Sequence, residues 1–338
     1  MKTAPASPIF AFLLSTAVLL WSPLLHGYDG MPFSTRNRNP FVAIYGLPPA
    51  EPAHVLPSGR SSIQVGVDAA SNYVVEVEAA EAVIQDGENW RVHLTCRYGV
   101  TDRMEVGIEI PYVIHTGGFL DGPVNTWHDI TGLPDGGRKN TANNRINTTY
   151  IKDGRVLINM EESSAGIGDI RVFGGLRLLG SEGDQGRSLT LRAGLKLPTG
   201  NPDDLTGSGA ADLHVGVAVM DTTLSPDTGI SFFGNAGILF AGGGDLIRDQ
   251  QRSLVGFGSL GVGWRITDRF TPKIQVDWHS PFHQDSALST VDAWSAQLVL
   301  GGTLSISEKS QLDMAIVEDI AVDTAPDVLF HIALGTRF

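Results

Sequence analysis

Cysteine is almost missing from this 338-residue sequence. Cys96 stands alone, which excludes an intramolecular disulfide, and it lies too far from the N-terminus to be a lipidated leader cysteine. No stretch after Gly27 approaches the apolar length of a spanning helix, which excludes an inner-membrane helix bundle. Basic residues number 24 against 37 acidic ones and form no run, so no nucleic-acid partner is expected. The formal charge of −13 becomes −14 if Lys2 is lost with a leader. Asp121, Asp129, Asp135, Asp203 and Asp204 could offer oxygens to a cation, but their spacing fits no calcium loop. They read as solvated loop acids, and no metal or cofactor is expected.

What the sequence does have begins with Lys2, an apolar run over 9–20 and a polar exit at His26 and Gly27, the layout of a secretory signal peptide over residues 1–27. Residues 28–59 follow with Pro32, Pro40, Pro48, Pro49, Pro52 and Pro57 and read as a Pro-rich periplasmic arm. Its apolar stretch 41–45 leaves open an entry into the interior or a plug at its mouth.

From residue 60 onward, apolar and polar residues alternate over segments of about ten residues separated by turn residues, the pattern of an outer-membrane β-barrel. Trp90, Val92, Leu94, Cys96 and Tyr98 oppose Arg91, His93, Thr95 and Arg97. Met104, Val106, Ile108, Ile110 and Tyr112 oppose Arg103, Glu105 and Glu109. Likewise Val172 and Leu176 oppose Arg171 and Arg177, Leu191 and Leu195 oppose Arg192 and Lys196, and Ile274 and Val276 oppose Lys273 and Asp277. A soluble sandwich would alternate as well, but aromatic residues cluster at the strand ends (Trp90, Tyr112, Phe240, Trp264, Trp278, Trp294), as interfacial girdles do.

Counting gives about twelve strands, over 61–75, 89–99, 103–113, 167–179, 187–197, 210–221, 229–240, 252–266, 270–279, 292–306, 311–321 and 327–338. The fold class is therefore all-β, a single antiparallel transmembrane barrel over 60–338, with 71–88 the weakest part of the count. A hairpin through 100–102 would set residues whose numbers sum to 202 opposite one another, pairing Arg97 with Glu105 and His93 with Glu109.

The longest connection, 115–164, lacks strand pattern. Val124, Trp127 and Ile130 fall at helical spacing behind Asp121, a candidate cap, and Pro123 in the first turn, which predicts a short helix ending at the Gly-rich turn 133–138. Phe119, Leu120, Trp127 and Ile130 would either plug the lumen or lie on the outer membrane interface.

In the last strand Phe330, Ile332, Leu334 and Phe338 share one face, while Asp327, His331 and Arg337 share the other. This resembles the closing strand of Gram-negative outer-membrane barrels, and the resemblance implies that those four apolar residues are the signal read by the barrel assembly machinery. Together with the runs GGFLDG (117–122), WHDI (127–130) and LPDGGR (133–138), it makes the chain similar to a domain-of-unknown-function family of proteobacterial outer-membrane β-barrels. The segment KLPTGN (196–201) with LTGSG (205–209) resembles a strand-loop element of several such barrels, including ones linked to uptake of aromatic compounds. The resemblance implies an outer-membrane location and brings no functional residues with it.

Function is read from the inward parity. Arg91, His93, Arg97, Glu105, Glu109, Arg171, Arg192, Lys196, Asp277 and His331 are expected to line the lumen, as a pore or transporter for a small solute, or to fill it as neutralised pairs. A structural or adhesive barrel is the alternative. An enzyme is not expected: for a lipid hydrolase or acyltransferase, His128 near Asp129 and Ser163 near Glu162 are the partners the loops offer, and nothing in the sequence supports them. Outer-membrane lipid and lipopolysaccharide are the remaining expected partners.

Overall fold

The computed structural model describes residues 31–132, 137–180, 186–224, 228–320 and 324–338. The expected leader 1–27 and most of the turn 133–138 lie outside the described residues. Two-residue alternation makes the strands: β1 Ser61–Glu78, β2 Glu81–Thr101, β3 Met104–Thr116, β4 Asn147–Lys152, β5 Arg155–Met160, β6 Ser164–Ile167, β7 Arg171–Leu179 and β8 Arg187–Lys196. They continue as β9 Asp212–Asp221, β10 Ile230–Phe240, β11 Leu254–Trp264, β12 Phe270–His279, β13 Ser295–Ser305, β14 Ser310–Asp319 and β15 Val328–Arg337. Each of β7 to β15 pairs with the next, β3 pairs with β2 and β7, and β1 joins β2 to β15, so twelve strands close an antiparallel barrel. Closure leaves this wall without a free edge, the condition for crossing lipid with strands.

The parity expected from sequence is the observed one. Val65, Leu94, Val106, Leu191, Val217, Leu260, Ile274 and Ile332 are exposed on the outer wall, whereas Asp68, His93, Glu105, Glu109, Arg192, Gln275 and His331 are buried inside it. Tight turns such as those at 102–103 and 306–309 gather at one end and the long connections at the other.

Three expectations need correction. The weak stretch 71–88 belongs to one long hairpin, paired from Ser61 opposite Tyr98 to Glu78 opposite Glu81, which projects beyond the barrel at the long-loop end. Connection 115–164 is not strandless: β4 and β5 form a hairpin added to the projecting part of β2, Glu81 facing Lys152, and β6 continues the pairing of β3. The β2–β3 register is 204, not 202, because the chain turns at 102–103 and slips by one at Gly99. Arg97 therefore faces Gly107, and His93 faces Pro111. A shift of two preserves the face of every side chain, so Arg97 still reaches Glu105 diagonally in an ion pair.

The helix spans Asp121–Thr131 and stops at Gly132, whose φ of 77° ends it in the left-handed conformation that glycine tolerates. Asp121 does not cap it. Its carboxylate accepts from Arg138 Nη1 at 3.1 Å and from the Asn144 amide at 2.7 Å. Leu120, Val124 and Trp127 pack on Ala69, Trp90, Ile316, Val328 and Phe330, so the helix lies against the outer wall rather than in the lumen. Phe119 and Ile130 stay exposed, and Phe119 stacks obliquely on Trp90. Trp127 Nε1 donates to Glu318 at 2.6 Å, which gives this outward carboxylate at the barrel's rim a donor.

Trp127→Phe keeps most of that packing and removes the donor. We expect a loss of about 1–3 kcal/mol of folding stability, read by urea titration in lipid vesicles; an unchanged midpoint would show that the indole N–H does not hold Glu318.

A lumen occupied by the chain's own N-terminal arm

Residues 31–57, expected in the periplasm with lumen entry as the alternative, run inside the barrel, and nearly all are buried. The ascending limb is extended, so its side chains alternate. On one side Phe33 exchanges backbone hydrogen bonds with the Gln275 side chain at 2.9 and 3.2 Å, Thr35 Oγ1 donates to Asp277 at 2.6 Å, and Asn37 lies 2.9 Å from His279 Nε2. These contacts follow β12 two residues at a time from the short-turn end upward. The opposite parity sends Arg36 to Glu109 and Arg38, through Nε at 2.8 Å and Nη2, to Asp68.

At the long-loop end Asn39 accepts from the Phe41 amide and caps the single turn Pro40–Ala43. Phe41, Val42, Ile44, Tyr45 and Leu47 are then buried among Val83, Tyr150, Ile158, Leu239, Val255, Phe257, Phe282, Leu288 and Val291, an apolar core made by the arm's apex and the elements at that end. Tyr45 stacks on Phe282 with ring centroids 4.9 Å apart, and its hydroxyl is 3.0 Å from His283 Nε2.

The descending limb follows β9, β7 and β8 back. The Gly46 amide donates to Asp212 at 2.7 Å, Glu51 pairs with Arg171 at 2.9 Å, and Arg192 donates to the carbonyls of Pro52 and His54 at 2.6 and 2.7 Å. The Leu56 amide donates to Glu105 at 2.8 Å, and Gly59 then bonds to Gly99 before β1 begins. Gly99 must be glycine, since a Cβ there would stand 2.0 Å from the Pro57 carbonyl oxygen.

The wall beneath the arm is a set of buried ion pairs. Glu109 accepts from Arg36, from Arg91 at 2.9 Å and from Arg171 at 3.2 Å. Glu105 holds Arg97 and Arg192, Lys196 sits between Asp169 at 2.6 Å and Asp212 at 3.1 Å, and Lys273 pairs with Asp313 at 3.2 Å. His331 Nδ1 is 2.6 Å from the second oxygen of Asp68. All ten residues expected on the inner wall are there. The expected pairing of His93 with Glu109 is replaced by the three guanidiniums. Sequence reasoning missed Asp68, Arg36, Arg38 and Glu51; the signal was the arm's own apolar stretch 41–47, too rich in Phe, Ile, Tyr and Leu for a free polar tail.

Burial pulls the His54 imidazole, on the arm, and that of His283, in the connection after β12, down to about 4. Both are neutral in the docked arrangement. His54 lies by Ser188 with Arg192, Arg177, Arg97 and Glu105 around it, and His283 lies by Tyr45 with the Val291 backbone near its ring. A cavity of about 80 Å³ between Pro52–Leu56 and the 305–311 turn has room for a few waters.

A family described as "Protein of unknown function (DUF3187)" has a model that matches residues 9–338. No curated protein matches the sequence. The structure is similar to the COG4313 outer membrane channel from Pseudomonas putida F1, with a TM-score of 0.56 and 14% identity over 85% of this chain and 98% of that one. The NanC porin follows at a TM-score of 0.43 and 10% identity, over 82% and 98%. The Ralstonia pickettii toluene transporter TbuX follows at 0.39 and 12%, over 84% and 90%. The first is a likeness of fold at low identity, and the other two carry no further argument.

Glu109→Gln would take the carboxylate from Arg36 and Arg91 and leave Arg171 with Glu51 alone; it is expected to cost about 3–5 kcal/mol in urea unfolding, and a loss under about 1 kcal/mol would deny Glu109 that role. Acid should loosen the arm. A released His54 or His283 returns to its usual 6.5, so docking is at full strength above pH 6.5 and weakens as pH falls toward 4. Amide exchange over residues 41–56, corrected for intrinsic rates, should be faster at pH 5 than at pH 7.5, and equal protection would contradict this.

Proposed function

The chain belongs to the family described as proteins of unknown function (DUF3187), and within it we propose that this barrel is an outer-membrane pore for small polar solutes that its own N-terminal arm holds closed. One observation carries the reading: the lumen is filled by a separable segment. Barrels of about eight strands fill themselves with wall side chains. Here twelve strands leave a space that wall side chains do not fill, and an extended arm takes it up mainly through side-chain hydrogen bonds and ion pairs rather than as a ladder strand. Both ends of the arm leave at the short-turn end, which in such barrels faces the periplasm. It can therefore withdraw toward that side without threading past itself.

A closed structural barrel is the second reading, favoured by the apolar core around Phe41, Ile44 and Tyr45, which resists withdrawal. Conductance separates the two. In a planar bilayer the full-length protein should show rare openings, and Arg38→Ala/Glu51→Ala, still full length, should raise the open probability at least tenfold. Deleting 119–138 should leave conductance as it was, because that helix lies on the outer wall. If the double variant forms a heat-modifiable, folded barrel and never conducts, the structural reading stands.

A further inference from the structure

The geometry points to a solute class: we infer that the opened lumen selects small zwitterions, their cation beside Asp68 and Asp277 and their carboxylate beside Arg171 and Arg192. This rests on the pore reading above and deepens it. The charge on the inner wall is segregated by strand. Along the arc β2–β3–β7–β8, Arg91, Arg97, Arg171 and Arg192 share two wall carboxylates, Glu105 and Glu109. Along β12 to β1 the inward acids Asp68, Asp277 and Asp313 outnumber the inward cations Lys273 and Arg337. Asp68 bonds to His331 on the wall and stands opposite Arg91 across the β1–β2 ladder, and Asp277 is held by Gln275 and the arm's Thr35. Lys273 there is already matched by Asp313. In a ring of twelve strands, β8 lies opposite β14, and β1 and β12 stand on either side of β14. Asp68 on β1 and Asp277 on β12 therefore stand three to five strands around the ring from Arg171 on β7 and Arg192 on β8, while the two arcs adjoin at the β1–β2 ladder, where Asp68 is the partner of Arg91.

The two sets stand at one level. Thr35 meets Asp277, Arg36 meets Glu109, which also holds Arg171, and Arg38 meets Asp68. Four consecutive arm residues thus address both walls, a span of at most about 11 Å along an extended chain.

The arm itself is shaped to this field. Its ascending limb places a guanidinium, Arg38, on Asp68, and its descending limb places a carboxylate, Glu51, on Arg171, with His214 at 3.9 Å. When the arm withdraws, one buried anion loses its cation and one buried guanidinium loses a carboxylate. Arg36 leaves too, but Glu109 keeps Arg91 and Arg171. A solute carrying both charges replaces both losses at once, whereas a simple cation or anion replaces one and is repelled by the other set.

The test compares two four-carbon solutes of similar size, 4-aminobutyrate and erythritol, in swelling of vesicles carrying the full-length protein or its Arg38→Ala/Glu51→Ala variant. We expect 4-aminobutyrate to enter at least threefold faster than erythritol, and Asp68→Asn/Asp277→Asn to bring that ratio to about one. A ratio of one or less before those aspartates are changed overturns the zwitterion assignment while leaving the pore reading intact. So does a reversal potential in a potassium chloride gradient near the ideal for a cation or for an anion, which an additional bilayer recording on the same proteins would give. If neither solute enters, the pore reading fails and this inference with it.

Discussion

Glu109 is where wall and arm depend on each other. A carboxylate this deeply buried is tolerable only if guanidiniums meet it, and the wall supplies Arg91 and Arg171 while the arm supplies Arg36. Arg171 in turn needs more than the share of Glu109 it receives, and takes Glu51 from the descending limb. The arm's two limbs are thus tied to each other through one acid and one base of the wall, so neither limb is satisfied alone. The same logic repeats at Glu105, which joins Arg97 and Arg192 to the Leu56 amide just before the chain enters β1.

This interdependence explains why the arm carries Arg36, Arg38 and Glu51 on its limbs and its largest apolar cluster at its apex. Within the barrel buried polar groups need partners, and the wall supplies them to Phe33, Thr35, Arg38, Gly46, Glu51 and Leu56. At the long-loop end the surroundings change: Val83, Tyr150, Phe257, Phe282 and Val291 offer apolar surface, and the sequence answers with Phe41, Val42, Ile44, Tyr45 and Leu47. Burying such side chains contributes roughly 1.5–3 kcal/mol each.

The barrel was legible in the sequence because its signal is periodic and repeats: the parity of Val92 and Leu94 against Arg91 and His93, or of Ile274 and Val276 against Lys273 and Asp277, fixes faces whatever the exact register. Register itself was not legible, since the slip at Gly99 is a local backbone event with no mark in the alternation. The hairpin β4–β5 escaped because it packs on the arm's apex, so its polar residues obey no lipid-facing rule. The expected lining residues could be placed on a face but not assigned partners. Several of their partners sit on the arm, such as Thr35 for Asp277, Arg36 for Glu109 and Glu51 for Arg171, and a Pro-rich stretch gives no periodicity from which to place it.

The helix Asp121–Thr131 shows why an amphipathic pattern alone does not choose between lumen and lipid. Its apolar face would suit either, but the lumen is already taken by the arm, whose Phe33 and Ala53 occupy the inner apolar clusters of the wall and whose apex fills the core at the long-loop end. On the outer wall, Ala69 is small enough to admit Leu120 and Val124, and Glu318 needs the donor that Trp127 brings. The helix therefore goes outside because the arm goes inside. A single decision, which segment neutralises Glu109 and Asp68, distributes the remaining long connections between rim, cap and membrane face.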